Sequence, residues 1–211
     1  MTRVAIIDYG MGNLRSVAKA IACVAPSAEV IVSSDPMDVA RADRVVFPGQ
    51  GAMPDCMRQL DERQLRGAVL DAAASKPFLG ICIGLQMLFQ HSQEGDQPGL
   101  GVFAGDVKRF VDPVDPVNGA RLKVPHMGWN GVRQTHPHAL WTGIADEERF
   151  YFVHSYYVAP VDPVLIAAET DYGAVFTSAI ARDNIFAVQF HPEKSAQAGL
   201  RLLANFVGWT P

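Results

Sequence analysis

From Arg3 to Ser92 the chain alternates short, continuously apolar runs with segments of helical periodicity, and few folds accept that pattern. "RVAIIDYG" reads as a buried strand ending at Gly10, and "NLRSVAKAIACV" carries apolar residues at helical spacing. "AEVIVSS" is a second strand, "DRVVFPGQG" a third that runs into a Gly/Pro loop, and "LRGAVLDAAAS" a helix. "KPFLGIC" is a fourth strand, and "GLQMLFQHS" reads as the helix that follows it. This order predicts an α/β fold, a three-layer sandwich with a mostly parallel central sheet and ligands at the carboxyl ends of its strands. The second half is richer in β. "GDVKRF", "WNGVRQ", "RFYFVHSYYV", "VLIAAET", "GAVFTSAI" and "NIFAVQFHPE" have strand composition and predict additional antiparallel strands, and "SAQAGLRLLANFVGW" closes the chain as an amphipathic helix. Val111 to Gly119, "VDPVDPVNG", is a loop too short to mark a boundary, so residues 1–211 are expected to form one domain.

With 211 residues, 49% of them hydrophobic, the chain can bury roughly 70% of its unfolded surface. A net charge of −4 and the absence of any Lys/Arg-rich run argue against a nucleic-acid partner. No apolar run approaches the roughly 18 residues of a membrane span, and the N-terminus does not read as a signal peptide. Cys23, Cys56 and Cys82 are an odd number at unrelated spacings, which gives neither a disulfide framework nor a CxxC pair. A reducing, cytoplasmic setting is the expectation.

Cys82 stands out because of where it sits. In "GICIGLQ" it ends an apolar strand between Gly80 and Gly84, the arrangement G-x-C-x-G of a nucleophile elbow, where a sharp turn lifts a side chain out of a sheet. A helix beginning there would offer free backbone N–H groups and a positive dipole end to a thiolate. Packing is the bland alternative for a strand-end cysteine, and it is the reading given to Cys23 and Cys56. A thiolate needs a base, and "QFHPEKS" supplies His191 and Glu193 on either side of Pro192, just beyond another apolar strand. His191 would move the proton and Glu193 would hold the imidazole, a Cys–His–Glu triad. His126, His136 and His138 carry no placed carboxylate, so neither a metal nor another cofactor is expected.

"GICIGLQ" together with "FHPEKS" resembles the class I, triad-type glutamine amidotransferases, over nearly the whole chain. "DYGMGNLRSV" at 8–17, "FPGQGAMPDCM" at 47–57, "PHMGWN" at 125–130 and "YFVHSYY" at 151–157 are similar to the glutaminase subunits of imidazole glycerol phosphate synthases within that family. The resemblance implies a flavodoxin-like fold, hydrolysis of glutamine to glutamate and ammonia, and delivery of the ammonia to a cyclase subunit, a (β/α)8 barrel, in histidine biosynthesis. It implies an oxyanion hole from Gly49, Gln50, Gly51 and Ile83, with Gln50 where the family pattern carries valine. It gives substrate contacts to Gln86, Glu94, His154, Ser155 and Tyr156, and a partner interface or gate to Met11, Asn13, Trp129 and Lys194. Two rivals accompany this reading: a glutaminase serving another synthase, and a non-catalytic flavodoxin-like interaction domain in which Cys82 is core packing.

Overall fold

The computed structural model describes residues 1–115, 117 and 119–211; within the 111–119 loop, positions 116 and 118 lie outside the described residues. Strands β1 (Arg3–Ile7), β2 (Glu29–Ser33), β3 (Arg44–Gly49) and β4 (Phe78–Cys82) are joined by α1 (Leu14–Val24), by α2 (Pro36–Arg41), and by α3 (Met53–Glu62) with α4 (Arg66–Ser75). A single turn, α5 (Ile83–Gln86), leads to β5 (Phe89–Ser92), β6 (Gln97–Pro98) and β7 (Phe103–Arg109). Then follow β8 (His126–Gln134), β9 (Glu148–His154), β10 (Tyr156–Pro160), β11 (Ile166–Asp171), β12 (Val175–Arg182), β13 (Ile185–Val188) and α6 (Ala196–Gly208).

The main sheet runs β2-β1-β3-β4-β13-β12-β10-β7-β5-β6, with β11, β8 and β9 branching from β12. The first five strands are parallel. Their burial explains their composition: every residue of β4 and β13 is buried, because helices cover both faces of a parallel sheet. Beyond β13 the pairings are antiparallel apart from β5 with β7, and β7 alternates buried with exposed residues as a one-sided strand does. The strand order reverses direction between β1 and β3, so right-handed crossovers put α1 on one face and α2 and α4 on the other. Accordingly α1 packs against α6, and α2 against α4.

The expected architecture is present, with three differences in its elements. "GLQMLFQHS" is one helical turn followed by a strand, not a helix. Leu85, Met87, Leu88 and Phe89 are all buried, a short apolar run whose spacing suits either state, and pairing of Phe89 with Phe103 of β7 decides for the sheet. "RFYFVHSYYV" is two strands broken at Ser155, because β9 pairs with β8 while β10 pairs with β7 and β12. Helices α2 and α3 were not expected, although Asp35 caps α2 by accepting from Met37 N at 2.8 Å and each helix has a proline in its first turn.

Register places the site. Gly49 pairs with Cys82 and Ile81 with Val188, so the ends of β3, β4 and β13 lie side by side. The two elbow glycines allow this closeness: a Cβ on Gly84 would stand 1.8 Å from the Phe47 carbonyl oxygen, and one on Gly80 2.8 Å from Ala187 Cβ. Gly84→Ala is therefore expected to lower stability by about 3 kcal/mol or more, since backbone cannot yield as a side chain can. Gly67→Ala, on α4 with nothing within 4 Å of the added methyl, should instead raise it by about 0.5–1 kcal/mol. Urea unfolding of both variants checks the opposite signs.

Candidate active site

Cys82 has φ 55° and ψ −112°, a left-handed conformation rarely adopted by a residue with a side chain and costing about 1–3 kcal/mol. The strain turns the thiol out of the sheet into a cavity of about 330 Å³. Gln50, Gly51, Ile83, Gln86, Glu94, His154, Ser155, Tyr156, His191 and Lys194 line the same cavity, which gathers most of the residues singled out in the sequence. A larger cavity of about 650 Å³ lies beyond Pro125, between Arg109–Pro113 and Arg121–Met127. Among the described residues that line it there is no nucleophile with a base beside it, so the smaller cavity is the candidate site.

His191 and Glu193 are buried, and His191 Nδ1 lies 2.9 Å from Glu193 Oε1. The carboxylate accepts a hydrogen bond from Nδ1–H, which leaves Nε2 without a full hydrogen bond, facing the sulfur. Burial alone would lower the pKa of the imidazole. The charge and hydrogen bond of the Cys82 sulfur, and then those of Glu193, outweigh burial and raise it to about 10. The ring is also held through its backbone: His191 N donates to Tyr151 O at 2.9 Å, and Ser195 Oγ accepts from Tyr151 N and donates to His191 O.

The segment expected to hold the oxyanion follows β3. Tyr9 Oη donates to Pro48 O at 2.9 Å, and the Cys56 thiol donates to Gln50 O at 3.6 Å. Gly49 is wedged so that a Cβ would lie 2.6 Å from Tyr9 Oη and 2.7 Å from Ile83 Cβ. Gly51 has φ 108°, and a Cβ there would meet Met11 Cε at 2.7 Å, so Met11 lies directly on the loop. Ile83 N–H opens α5, where no preceding intrahelical acceptor exists. The expected dipole assistance is corrected: α5 is one turn long, so local N–H groups rather than a macrodipole face the thiolate. Cys56 is buried and touches this loop, while Cys23 is exposed on α1 instead of packed.

The Tyr156 carbonyl organises the opposite wall. It accepts from His154 Nδ1 at 2.8 Å and from Gln86 Nε2 at 3.1 Å. Since a carbonyl only accepts, His154 carries its proton on Nδ1 and accepts at Nε2 a hydrogen bond from His126 Nδ1, 3.0 Å away. His126 Nε2 in turn accepts from Asn130 Nδ2 at 3.3 Å. Both rings are neutral, and burial holds their pKa values down, to about 4 for His126 and about 3 for His154. Gln86 is buried rather than on a helix surface, and its Oε1 has no partner among the described residues. Glu94 caps α3 with Oε2, accepting from Met53 N at 2.8 Å.

The remaining expected residues are spread around the rim. Lys194 lies 5.9 Å from the centre of the Tyr151 ring, and Trp129, 43% exposed, meets the same ring edge-on from β8, where it pairs with Tyr151. Asn13 precedes α1, and its carbonyl accepts from Ser16 N and Val17 N; nothing joins it to the cavity. His138 packs on Phe186 and Trp209, away from His126. Pro125, Tyr151 and Val153 also line the cavity, and Gln189, fully buried, reaches the sulfur. These lie inside stretches already marked in the sequence, but their roles depend on strand pairing across long separations.

The glutamine amidotransferase class-I family model matches residues 5–208. The chain is 70% identical over 212 aligned residues, covering all of both chains, to the imidazole glycerol phosphate synthase subunit HisH of Aromatoleum aromaticum. It is 68% identical to the protein of that name from Dechloromonas aromatica, over 99% of this chain and 97% of the relative. Among solved structures, a glutamine amidotransferase superposes with a TM-score of 0.71 at 16% identity, over 98% of this chain and 99% of the other. One from Thermotoga maritima gives 0.62 at 17% identity, over 93% and 78%. At such identities the structures support the fold alone.

The buried histidines set an acid limit on stability. His126 and His154, and likewise His138, which burial lowers to about 4, stay neutral in the fold while the unfolded chain takes up protons below about pH 6.5. Depressed folded pKa values mean stability that is complete above that pH and lost as the pH falls. Lowering the pH from about 7 to about 5 should cost about 2 kcal/mol per histidine, read from urea midpoints. His126→Phe should remove one histidine's share of that slope. His191, shifted the other way, contributes stability that is complete below about pH 6.5 and is lost as the pH rises toward about 10.

Proposed function

The chain belongs to the glutamine amidotransferase class-I family, and on that premise we propose that it is the glutaminase subunit of an imidazole glycerol phosphate synthase, working through the Cys82–His191–Glu193 triad. The observation that carries this reading is a strained, cavity-facing Cys82 beside a histidine whose far nitrogen is held by a buried carboxylate at 2.9 Å. Packing would not require a cysteine in a left-handed conformation.

Cys82 Sγ attacks the glutamine γ-carboxamide, and the N–H groups of Ile83 and of the Gly49–Gly51 segment receive the developing oxyanion. His191 gives its proton to the departing ammonia, leaving a γ-glutamyl thioester. It then takes a proton from the water that hydrolyses that thioester. Glu94, whose Oε1 is not used in capping α3, suits the substrate α-ammonium, and the unpartnered Gln86 Oε1 suits a donor on the same substrate. The His154–Tyr156 segment suits the α-carboxylate. No metal or other cofactor takes part.

The ammonia passes to a cyclase subunit, a (β/α)8 barrel forming a heterodimer against the surface bearing Met11, Asn13, Trp129 and Lys194. There it is used for imidazole glycerol phosphate and an aminoimidazole carboxamide ribonucleotide. Full-length similarity to proteins named as subunits of that synthase supports this acceptor over another one. The unbroken sheet and a family match over residues 5–208 support one domain, and the setting proposed for it is the cytoplasm. Among the described residues no helix is long and apolar enough to cross a membrane.

Cys82→Ala should abolish glutamine-dependent synthesis by the complex and leave synthesis from added ammonia largely intact; loss of both with the complex still formed would refute the division of labour. His191→Ala should cut glutamine turnover by about 10³-fold or more, and Glu193→Gln by clearly less, in steady-state glutamate assays.

The oxyanion loop, pinned at the Pro48 and Gln50 carbonyls and covered by Met11, gives the partner a lever. Glutamate release should rise by about 10² to 10³-fold from the chain alone to the complex carrying its nucleotide, the worth of one oxyanion donor. Equal rates in the two states would show that the loop is open without a partner.

A further inference from the structure

Gln189 has no role in the reaction as described, yet it is fully buried against its central atom. It follows β13, one residue past the pairing of Val188 with Ile81, and so lies alongside Cys82. Its Nε2 is 3.6 Å from Cys82 Sγ, a hydrogen-bond distance for sulfur. Its Oε1 accepts from Gln86 Nε2 at 3.0 Å, and the same Gln86 nitrogen donates to Tyr156 O at 3.1 Å.

A carboxamide can turn either end toward a neighbour, so what decides the end that meets the sulfur matters. Here a chain of exclusions decides it. Tyr156 O can only accept, so Gln86 must present its NH₂ to it. That NH₂ also faces Gln189, which must then present its oxygen. The N–H end of Gln189 is thereby turned toward Cys82. We propose that Gln189 is a thiolate-stabilising residue of this site, and that Gln86 and the Tyr156 carbonyl are positioning groups that fix which end of its carboxamide meets the sulfur. Its effect on turnover rests on the glutaminase reading; its effect on the thiol does not.

The other titratable or charged groups around the sulfur are His191 backed by Glu193, Tyr9 from the end of β1, and Cys56 from α3, with Glu94, Tyr151, His154, Tyr156 and Lys194 on the cavity wall. None of them is changed by substitutions at Gln189 or Gln86.

The test is the pH dependence of iodoacetamide alkylation of Cys82 in the full chain, followed by mass spectrometry of the Cys82 peptide, with circular dichroism as the check on folding. Gln189→Leu should move the alkylation midpoint upward by about one pH unit, the scale of one hydrogen bond to a charged group. In the complex it should lower kcat for glutamine with KM nearly unchanged. Gln189→Glu keeps the acceptor for Gln86 and replaces the N–H at the sulfur by an oxygen, so its midpoint should rise at least as far. Gln86→Met should give a smaller upward shift, and the double substitution Gln86→Met, Gln189→Leu no more than Gln189→Leu alone.

An unmoved midpoint in both folded Gln189 variants would overturn the proposal, and additive shifts in the double variant would overturn the positioning role of Gln86. A moved midpoint in a chain that releases no glutamate even with the cyclase would uphold the donor and sink the glutaminase reading instead. An unmoved midpoint alongside full loss of turnover in Cys82→Ala would do the reverse.

Discussion

Cys82 is held at a positive φ by the ladder on either side of it, and the site exists only as long as that ladder holds. β3 and β13 flank β4 in parallel, with Gly49 opposite Cys82 and Val188 opposite Ile81, so three strand ends stop at the same height. At these ends each strand contributes to the site: a loop of backbone N–H groups after β3, the thiol on the last residue of β4, the carboxamide and imidazole just after β13. A slip of one residue in either pairing would turn the inward side chains to the opposite face and scatter these groups. The apolar runs of β4 and β13, buried at every position, make such a slip costly.

A second constraint is directional. The Tyr156 carbonyl, accepting from His154 and from Gln86, fixes the donor end of every group linked to it. On one side it sets the tautomers of His154 and His126 as far as Asn130, and on the other it orients two carboxamides as far as the sulfur. Polar atoms of low dielectric surroundings thus acquire a single arrangement without any charge being buried unpaired beyond the Cys–His–Glu group itself.

Much of this was legible in the sequence where the signal is local. Strand–helix alternation gave the parallel core, and the glycines around Cys82 marked the elbow before any contact was known. The pairing of His191 with Glu193 was readable because the two sit two residues apart at a strand end. What could not be read depends on partners distant along the chain. "GLQMLFQHS" has helical spacing, and only β7 turns its second half into a strand. Cys56 looks like packing until Gln50 is folded over it, and Gln189 is merely the first letter of "QFHPEKS" until Gln86 and Cys82 close around it. Helix α3 is a different case: its proline and aspartate were local start signals, obscured by the glycines just ahead of them.

Glu94 closes one end of the cavity while its Oε2 accepts the Met53 N–H, the first free donor of α3. The carboxylate is therefore shared between the cavity and a helix end that begins two residues after Gly51. A cation drawn to Glu94 takes up part of the charge that otherwise steadies that end, so occupancy is communicated to the first turn of α3 without any change of fold. Solvent exchange of the Met53 amide becomes an intrinsic reporter of the cavity's contents, readable in the native chain with no label on Cys82 and no turnover.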